Sequence, residues 1–339
     1  MSVPAVSAVV VAYLDEPWLE RCVESLLAST GVQVEVVLVD NGDTSGAVDR
    51  LAGRDRLRVL RPGRNLGFAG GCNAGAAAAG GDVLALVNPD AVVEPDALAW
   101  LAAAVEDRQI GIATASIRLA EDPSRMNSVG NPLHYLGLVW AGGFGEPAVD
   151  HAEVRDVATA SGAACALRRE LWDRLGGFYP AYFAYHEDTE ISIRCWQQGL
   201  RVVYVPAAVV VHRYEFSRNK RKNYLLERNR WLTLLTLYSG RSLLLLTPPL
   251  LVLEVCMLVA AAAGGWLPEK VAGYRWLVRH AAQIRRRRSH LQAQRRCSDK
   301  DLAGLFAARF EPANLPTPPG LGLLNIVLDR YWHLVRGHL

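Results

Sequence analysis

The residues with the clearest chemical potential form the motif Asn88-Pro89-Asp90, directly after the apolar run Val83–Val87. A continuous apolar run of this length predicts a buried strand. Ligands of open α/β sheets bind beyond the carboxyl ends of such strands. Asn88 and Asp90 are two positions apart, so in extended chain they point to the same side, where their oxygens suit Mg²⁺ or Mn²⁺ held against a diphosphate. An ordinary Asx-Pro turn is the alternative.

A second candidate site is the pair Glu187-Asp188, which leads into a helical pattern whose apolar face includes Ile191 and Ile193. In one interpretation the two carboxylates offset the dipole of that helix. In the other, one carboxylate acts as a general base that takes a proton from an attacking hydroxyl. His212, at the end of a further strand-like run, is either an ordinary strand-end histidine or a metal ligand.

The elements that would position these residues alternate between strands and helices. Strand-like runs are predicted at residues 6–11, 34–39, 56–60, 83–87, 110–119, 201–205 and 209–211. Helices are predicted from Pro17, over about 72–79, from Pro95, over 169–175 and from about 191 to 198. Such alternation implies parallel βαβ units with right-handed crossovers, and hence an α/β fold. Residues 120–158 are predicted to form loops and short strands over the site.

Composition and charge indicate the setting of the protein. The 339 residues are 51% hydrophobic with a mean hydropathy of +0.10, at the apolar end of the soluble range. Between Arg213 and Arg296, 17 Lys and Arg face 4 Asp and Glu, which indicates an anionic partner: membrane lipid, a diphosphate or nucleic acid. Six scattered cysteines and the lack of a signal peptide favour a reducing, cytoplasmic setting.

An apolar segment at residues 243–267 raises the question of membrane contact. It is long enough to span a bilayer, but Glu254 and a break predicted at Pro248-Pro249 argue against a plain spanning helix. An interfacial or re-entrant segment is preferred over a true span, and that over a buried core helix. The arginines at 285–288 fit anionic headgroups better than nucleic acid, for which no motif is present. The apolar surface could instead serve a second copy, giving a homo-oligomer.

Taken in order, these stretches resemble the family-2 glycosyltransferases of GT-A fold, especially the rhamnosyltransferase-like bacterial members that build cell-surface glycans. The matching segments are residues 7–13, 39–42, 65–73, 88–90, 177–178, 186–188 and 211–212. The resemblance implies a Rossmann-like, mostly parallel sheet flanked by helices, in a catalytic domain over 1–215. Its nucleotide-binding half would cover about 1–118 and its acceptor-binding half about 119–215. Residues 216–339 would form a helical, basic and apolar, membrane-associated extension.

The resemblance also implies roles for single residues. Nucleotide-sugar contacts would come from Ala12, Tyr13, Asp40, Asn41, Asn65, Gly67, Gly70, Asn73 and Asn88, with Gly71 also letting the backbone approach the ligand. The residues alone leave Asp40 as a turn aspartate and Asn73 as a helix N-cap. The metal ligands would be Asp90 and His212, and Asn88 replaces the family's first aspartate, which implies weak metal binding without the nucleotide. Asp188 would be the general base with Glu187 beside it, and His186, Arg218 and Arg221 would contact the acceptor.

The predicted function is an inverting glycosyltransferase that uses Mg²⁺ or Mn²⁺ and a nucleotide-diphosphate sugar, with L-rhamnose from dTDP-rhamnose as the expected donor. The acceptor would be lipid-linked or a polysaccharide, at the cytoplasmic face of the cell membrane, with the chain peripheral, re-entrant or C-terminally anchored. A UDP- or GDP-sugar transferase of the same family is the alternative. A non-catalytic membrane-associated adaptor is disfavoured because Asp90, Asp188 and His212 are all present. A sugar-phosphate nucleotidyltransferase would need a glycine-rich, basic loop after the first strand, which residues 12–16 do not supply.

Overall fold

The structure is a computed structural model that describes residues 3–213, 221–313 and 320–339. The chain divides into two compact units. The first comprises Met1–Asn131, Ala141–Cys195 and Leu200–Tyr214, and the second comprises Pro132–Trp140, Trp196–Gly199 and Glu215–Leu339. The second unit therefore takes two short segments from within the region predicted as the catalytic domain.

The strands and helices are as follows. The strands are β1 (Ala5–Leu14), β2 (Gln33–Asp43), β3 (Leu57–Leu60), β4 (Val83–Val87), β5 (Ala91–Val93), β6 (Ile110–Leu119), β7 (Met126–Ser128), β8 (Leu133–His134), β9 (Arg155–Asp156), β10 (Ala164–Arg168), β11 (Arg201–His212) and β12 (Phe306–Ala307). The helices are α1 (Leu19–Leu27), α2 (Ala47–Leu51), α3 (Gly67–Ala78), α4 (Ala97–Glu106), α5 (Arg169–Leu175), α6 (Glu187–Gln197), α7 (Lys222–Leu237), α8 (Gly240–Ala263), α9 (Leu267–Arg279), α10 (Ala281–Gln294), α11 (Asp299–Leu302) and α12 (Leu321–Val335).

The first unit is built on one sheet with the strand order β3-β2-β1-β4-β10-β6-β11-β5, to which β7 and β9 add at β6 and β11. The long strands β1, β2 and β4 pair in parallel, as do β6 and β11. β10 enters antiparallel between β4 and β6. The predicted α/β class with a mostly parallel sheet flanked by helices is therefore confirmed.

Burial of both faces explains the apolar runs in the central strands. All five residues of β4 are buried, as expected for a parallel strand covered by helices on each side. On one face, Ala8 and Val10 of β1 belong to a core shared with Leu19 and Leu26 of α1. Because burying one such side chain contributes about 1.5–3 kcal/mol, this core holds the strand ends in place.

Helix α3 begins at Gly67, five residues before the predicted start at Cys72, so the glycines expected in a loop lie inside a helix. A Cβ at Gly71 or Gly75 would clash with Val11 or Val9 of β1. These two glycines let α3 lie close against the sheet. Glycine is needed at both positions because the valine side chains occupy the space that a Cβ atom would fill.

Strand β11 is one strand of twelve residues, although two strands were predicted with a gap after Val205. Its pairing with β6 shifts register between Val205 and Val209, so the chain bulges around Pro206 and then resumes the same ladder. A proline lacks the backbone N–H that a regular ladder requires, which accounts for a bulge at this point.

The second unit contains α7 to α12 and the short β8-β12 pair. Within it, α8 runs through Pro248 and Pro249 without a break, so the predicted interruption there is wrong. The missing N–H of Pro249 leaves the carbonyl of Leu245 without its helical donor, and the hydroxyl of Tyr331 in α12 donates to that carbonyl at 2.5 Å. Among the described residues, α8 is the one helix long and apolar enough to cross a membrane.

Candidate active site

The carboxylate of Asp90 and the imidazole of His212 meet at one edge of the sheet. Asp90 follows β4 by three residues, and His212 is the last residue of β11. β11 pairs antiparallel with β5, and the register places His212 beside Ala91. Asp90 Oδ1 consequently lies 3.1 Å from His212 Nε2. The structure thus brings together the two residues that were predicted as metal ligands.

Asn127 orients this histidine and was missed in the sequence. Its Oδ1 lies 3.1 Å from His212 Nδ1, and its side chain is buried in the short strand β7. In the tautomer in which Nδ1–H donates to the amide oxygen, Nε2 carries a lone pair and could bind a metal ion beside the Asp90 carboxylate. The local sequence Met126-Asn127-Ser128 carries no signal of this role.

The donor set at this edge suits a divalent metal that takes most of its ligands from a substrate. A carboxylate oxygen and an imidazole nitrogen are accepted ligands of Mn²⁺. In the described parts of the chain, no cluster of three or more His, Cys, Asp and Glu side chains is placed to hold a metal. Asp90 and His212 alone would bind a metal weakly, so the diphosphate and water would supply the other ligands.

Asn88 lies between the end of β4 and Asp90. Its backbone is fixed, since its N–H donates to the Ala163 carbonyl at 2.9 Å and its carbonyl accepts from Cys22 Sγ at 3.3 Å. Its side chain forms no hydrogen bond with any described residue and is half-buried. Asn88 is therefore able to bind a ligand without losing an internal contact.

Asp188 lies in the first turn of α6 and is held by backbone donors. Its Oδ2 accepts from Gly162 N–H at 2.9 Å, and its Oδ1 accepts from Thr189 N–H at 2.7 Å. Burial raises the pKa of the Asp188 carboxyl, and these hydrogen bonds offset only part of that effect. Part of the residue's surface is still exposed, so a substrate hydroxyl could reach it.

Gly162 links the two halves of the site and was also missed. It adjoins Ala163, which bonds to Asn88, and a Cβ at Gly162 would lie 3.2 Å from Asp188 Oδ2. The small, apolar residues 160–167 give no indication of this contact. A small residue is needed here because the carboxylate approaches the backbone closely.

Glu187 is the more deeply buried member of the pair, at 5% exposure. Its Oε2 accepts no hydrogen bond from any described residue. Burial, reinforced by the nearby Asp188, raises the pKa of Glu187 well above the usual carboxyl range. Two adjacent carboxylates with unequal surroundings favour one protonated and one ionised group.

The segment before this pair is conformationally strained. Phe183, Tyr185 and His186 have φ angles of 66°, 69° and 68°, a region that non-glycine residues rarely adopt. The carbonyl of Phe183 accepts from Ala69 N–H at 3.1 Å, and a Cβ at Gly67, whose φ is +71°, would clash with that carbonyl. Such strain costs on the order of 1–3 kcal/mol per residue and is concentrated at functional sites.

The predicted nucleotide contacts fall at the ends of β1 and β2 and at the start of α3. Ala12 pairs with Asp40 in the β1–β2 register. Asp40 accepts from the Gly42 and Asp43 N–H groups and pairs with Arg61 at 2.9 Å, so the turn interpretation describes its present contacts. Its nucleotide-binding role is untested by these contacts.

The other predicted contacts are more internal. Asn41 is buried and donates to Asn65 Oδ1 at 2.9 Å, which braces the loop before α3. Asn73 lies inside α3 and exchanges two hydrogen bonds with the backbone of Phe178, so it is not the N-cap that was the alternative. Gly70 also lies within α3, and Tyr13 is 46% exposed at the end of β1.

The predicted acceptor residues are dispersed. His186 is buried in the strained segment, and Arg218 lies outside the described residues. Arg221 lines a cavity of about 500 Å³ in the second unit, with Arg275, Arg279, Trp276, Tyr224, His280, Ala272 and Glu269. Neither Arg275 nor Arg279 forms an ion pair with a described residue. The cavity therefore carries an excess of positive charge.

Comparison with known proteins identifies the family of the chain. Residues 4–233 match the family described as "Glycosyltransferase like family 2". The chain is 30% identical over 238 residues to N-acetylglucosaminyl-diphospho-decaprenol L-rhamnosyltransferase from two strains of Mycobacterium tuberculosis, covering 62% of this chain and 77% of that protein.

Two solved structures are similar in fold. GalNAc-T7 with UDP, GalNAc and Mn²⁺ superposes with a TM-score of 0.59 at 21% identity, over 71% of this chain and 49% of that one. The mannosyltransferase PcManGT from Pyrobaculum calidifontis, in complex with GDP-Man and Mn²⁺, gives a TM-score of 0.50 at 22% identity, over 86% of both chains. The family match covers more than half of the sequence and the whole of the site described above. The chain is a member of the family-2 glycosyltransferases, with a GT-A fold.

Proposed function

We propose that the protein is a metal-dependent, inverting rhamnosyltransferase that uses dTDP-L-rhamnose and acts on a lipid-linked acceptor at the cytoplasmic face of the membrane. The observation that carries this proposal is the pairing of Asp90 with His212 at the carboxyl edge of β4. A carboxylate facing an imidazole beside an available asparagine is suited to a diphosphate and its metal. The rhamnosyltransferase relative supports the choice of donor.

Residues at the ends of β1, β2 and β4 would bind the donor. Ala12 and Asp40 are paired neighbours, and Asn88 directly follows β4, which is hydrogen-bonded to β1. Asp90 and His212 would hold a divalent metal, which when bound stabilises negative charge on the leaving nucleoside diphosphate. Asn127 would keep His212 in the orientation that directs Nε2 to that position.

Asp188 would supply the general base. The acceptor hydroxyl oxygen forms a bond to the anomeric carbon, its proton passes to Asp188, and the bond from that carbon to the diphosphate oxygen breaks. A single displacement of this kind inverts the anomeric configuration. A raised pKa makes the ionised Asp188 a stronger base, and buried Glu187 stays protonated beside it, which avoids two adjacent negative charges.

The acceptor is proposed to be a sugar carried on a lipid diphosphate, in line with the name of the rhamnosyltransferase relative. Arg221, Arg275 and Arg279 would bind the diphosphate in the second-unit cavity. Guanidinium groups match phosphate oxygens with paired hydrogen bonds, and Trp276 and Tyr224 provide flat apolar surface beside them.

The direct test is product formation by the purified chain. It would be incubated with a polyprenyl-diphosphate-linked N-acetylglucosamine and with dTDP-rhamnose, a UDP-sugar or a GDP-sugar, each with Mn²⁺ or with EDTA. We expect transfer from dTDP-rhamnose alone, abolished by EDTA, with inverted configuration by NMR. Transfer from a UDP- or GDP-sugar would replace the donor assignment, and no transfer from any donor with retained nucleotide binding would favour the adaptor alternative.

A further inference from the structure

We propose that α8 and α12 form a docking face that lies in the plane of an anionic lipid bilayer, with neither helix crossing it. This inference deepens the proposed function and rests on it only in assuming that the acceptor is carried by a membrane lipid. We call this surface the apolar face. It consists of the exposed apolar side chains of α8 and α12: Leu244, Leu251, Val252, Val255, Val259, Leu323, Ile326, Val327 and Leu334.

The large exposed side chains of α8 from Leu244 onward are apolar. Its large exposed side chains are between 53% and 74% exposed and follow helical spacing: Leu244, Leu251, Val252, Val255 and Val259. From Leu244 to the end of α8, no exposed residue is charged. A helix of 24 residues is about 36 Å long, so this stripe is larger than the apolar patches that soluble monomers usually expose.

α12 contacts α8 and carries exposed apolar side chains of its own. The hydroxyl of Tyr331 donates to the carbonyl of Leu245, which joins the two helices near the start of α8. On α12, four more large apolar side chains are between 47% and 70% exposed: Leu323, Ile326, Val327 and Leu334. Together the two helices expose nine large apolar side chains.

The inward side of α8 is fixed to the protein by charge. Glu254 accepts hydrogen bonds from Arg230 at 2.6 Å, from Lys270 at 2.5 Å and from Tyr274, and Glu227 pairs with the same two cations. Burial alone would raise the pKa of Glu254, but Arg230 and the two other donors outweigh burial and hold the pKa below its usual value. Breaking one partner out of such a buried network costs about 3–5 kcal/mol.

This buried network favours an in-plane orientation of α8 over one that spans the bilayer. Arg230 and Lys270 are at most 2% exposed, so α8 cannot be surrounded by lipid without either losing these partners or carrying them into hydrocarbon. A helix with one face bound to protein and the other apolar fits the boundary between headgroups and acyl chains.

The positive charge of the second unit indicates which partner covers the apolar face. Residues 221–339 carry 18 Lys and Arg against 7 Asp and Glu, and the exposed Arg241 and Arg330 lie on the two helices of the apolar face. An anionic bilayer would neutralise these cations while covering the apolar side chains. A second copy docked face to face would bring the same cations together. The bilayer is therefore the better partner.

The first experiment is co-sedimentation of the full chain with vesicles. We expect binding to equimolar phosphatidylcholine–phosphatidylglycerol and weaker binding to phosphatidylcholine alone. Leu251→Asp with Val255→Asp should weaken binding at least about a hundredfold, because two side chains that the bilayer would cover are replaced by charges. The control is Val149→Asp with Val154→Asp, at exposed valines of the first unit, which should bind as wild type does. Equal binding by both double variants would overturn the proposal.

The second experiment fixes the orientation. Cys256 is exposed on α8, and a membrane-impermeant maleimide should label it in solution but not on vesicles. With Cys256→Ser as background, Arg241→Cys and Ala262→Cys report the two ends of α8. Labelling of both ends from outside intact vesicles supports the in-plane helix, whereas shielding of one end until the vesicles are opened would show a spanning helix.

Nucleotide binding by the same variants separates this inference from the proposed function. Leu251→Asp with Val255→Asp should bind nucleotide as wild type does, because both residues lie in the second unit. Vesicle binding without any nucleotide binding would contradict the proposed function and leave the docking face in place. Discrete dimers by light scattering, with Cys256 protected in solution, would instead assign the face to a second copy and overturn the proposal.

Discussion

Asp90 and His212 are separated by 122 positions in the sequence, yet Oδ1 of one lies 3.1 Å from Nε2 of the other. The antiparallel pairing of β5 with β11 creates this contact, because it places the end of β11 beside the residues that follow β4. A carboxylate oxygen and an imidazole nitrogen are both ligands that divalent metal ions accept. A GT-A enzyme that binds a nucleotide diphosphate provides a reason for the metal, and the predictions below follow from that arrangement.

Asn127→Ala should weaken Mn²⁺ binding in the presence of nucleotide by about 10–100-fold. The reason is that Asn127 Oδ1 faces His212 Nδ1 and fixes the ring that would bind the metal. Electron paramagnetic resonance titration of Mn²⁺ measures the change. Asn223→Ala, at an exposed asparagine of α7, is the matched control and should leave the affinity unchanged. Equal affinities for wild type and Asn127→Ala would remove Asn127 from the metal site.

Asp188→Asn should lower kcat by about 10²–10⁴-fold with nucleotide affinity nearly unchanged. The variant cannot accept the proton of the acceptor hydroxyl, although it keeps the size of the side chain. Steady-state kinetics and calorimetry on the same preparation separate the two effects. Asp173→Asn, at an exposed aspartate of α5, should match wild type. A kcat within a factor of a few of wild type would exclude Asp188 as the base.

Glu187→Gln should change the pH dependence of stability. Its pKa is raised in the folded protein, so between the unfolded and folded pKa values the unfolded chain has lost a proton that the folded chain retains. The free energy of unfolding therefore falls as pH rises through this window, by at most about 1.4 kcal/mol per pH unit from this group. Below an ordinary carboxyl pKa of about 4 both states hold the proton and there is no loss.

The measurement is urea unfolding of wild type and variant between about pH 4 and pH 8. Glu187→Gln should match wild type at the acid end and be more stable at the upper end, because the amide never ionises. Glu153→Gln, at an exposed glutamate, should follow wild type throughout. A constant difference between Glu187→Gln and wild type across the range would show that Glu187 does not titrate as described.

Arg275→Ala with Arg279→Ala should raise KM for the lipid-diphosphate acceptor and leave KM for the donor unchanged. Losing charge-assisted hydrogen bonds worth about 1.5–3 kcal/mol each corresponds to at least about a tenfold rise. Initial rates at varied acceptor concentration give the value. Arg286→Ala, at an exposed arginine of α10, tests whether total positive charge is sufficient. A similar rise in both would assign the effect to general attraction.

The buried strands could be predicted from the sequence because their pattern is local. β4 and β6 begin and end where their apolar runs do. Contacts between distant segments could not be predicted in the same way. In α8, Pro249 leaves the Leu245 carbonyl without its helical donor, and the hydroxyl of Tyr331 donates to that carbonyl instead. Nothing near Pro249 in the sequence indicates this contact.

The same limit applies to the site. Asp90, Asp188 and His212 were named because charged residues at strand and helix ends form a recognisable pattern. Asn127 in β7 and Gly162 just before β10 contact those residues from distant parts of the chain, and nothing in their local sequence indicates these contacts. The glycines of α3 were misplaced because a glycine-rich segment reads as a loop, whereas contact with β1 and with Phe183 makes it a helix.

The most direct test of the central claim is calorimetric titration of the purified chain with dTDP, UDP and GDP, each with Mn²⁺ and with EDTA. It would be repeated on Asp90→Ala and His212→Ala. We expect that dTDP binds only with Mn²⁺ and that each substitution removes the metal-dependent binding of dTDP. Nucleotide binding that is equally tight in EDTA and in both variants would contradict the assignment of Asp90 and His212 as metal ligands.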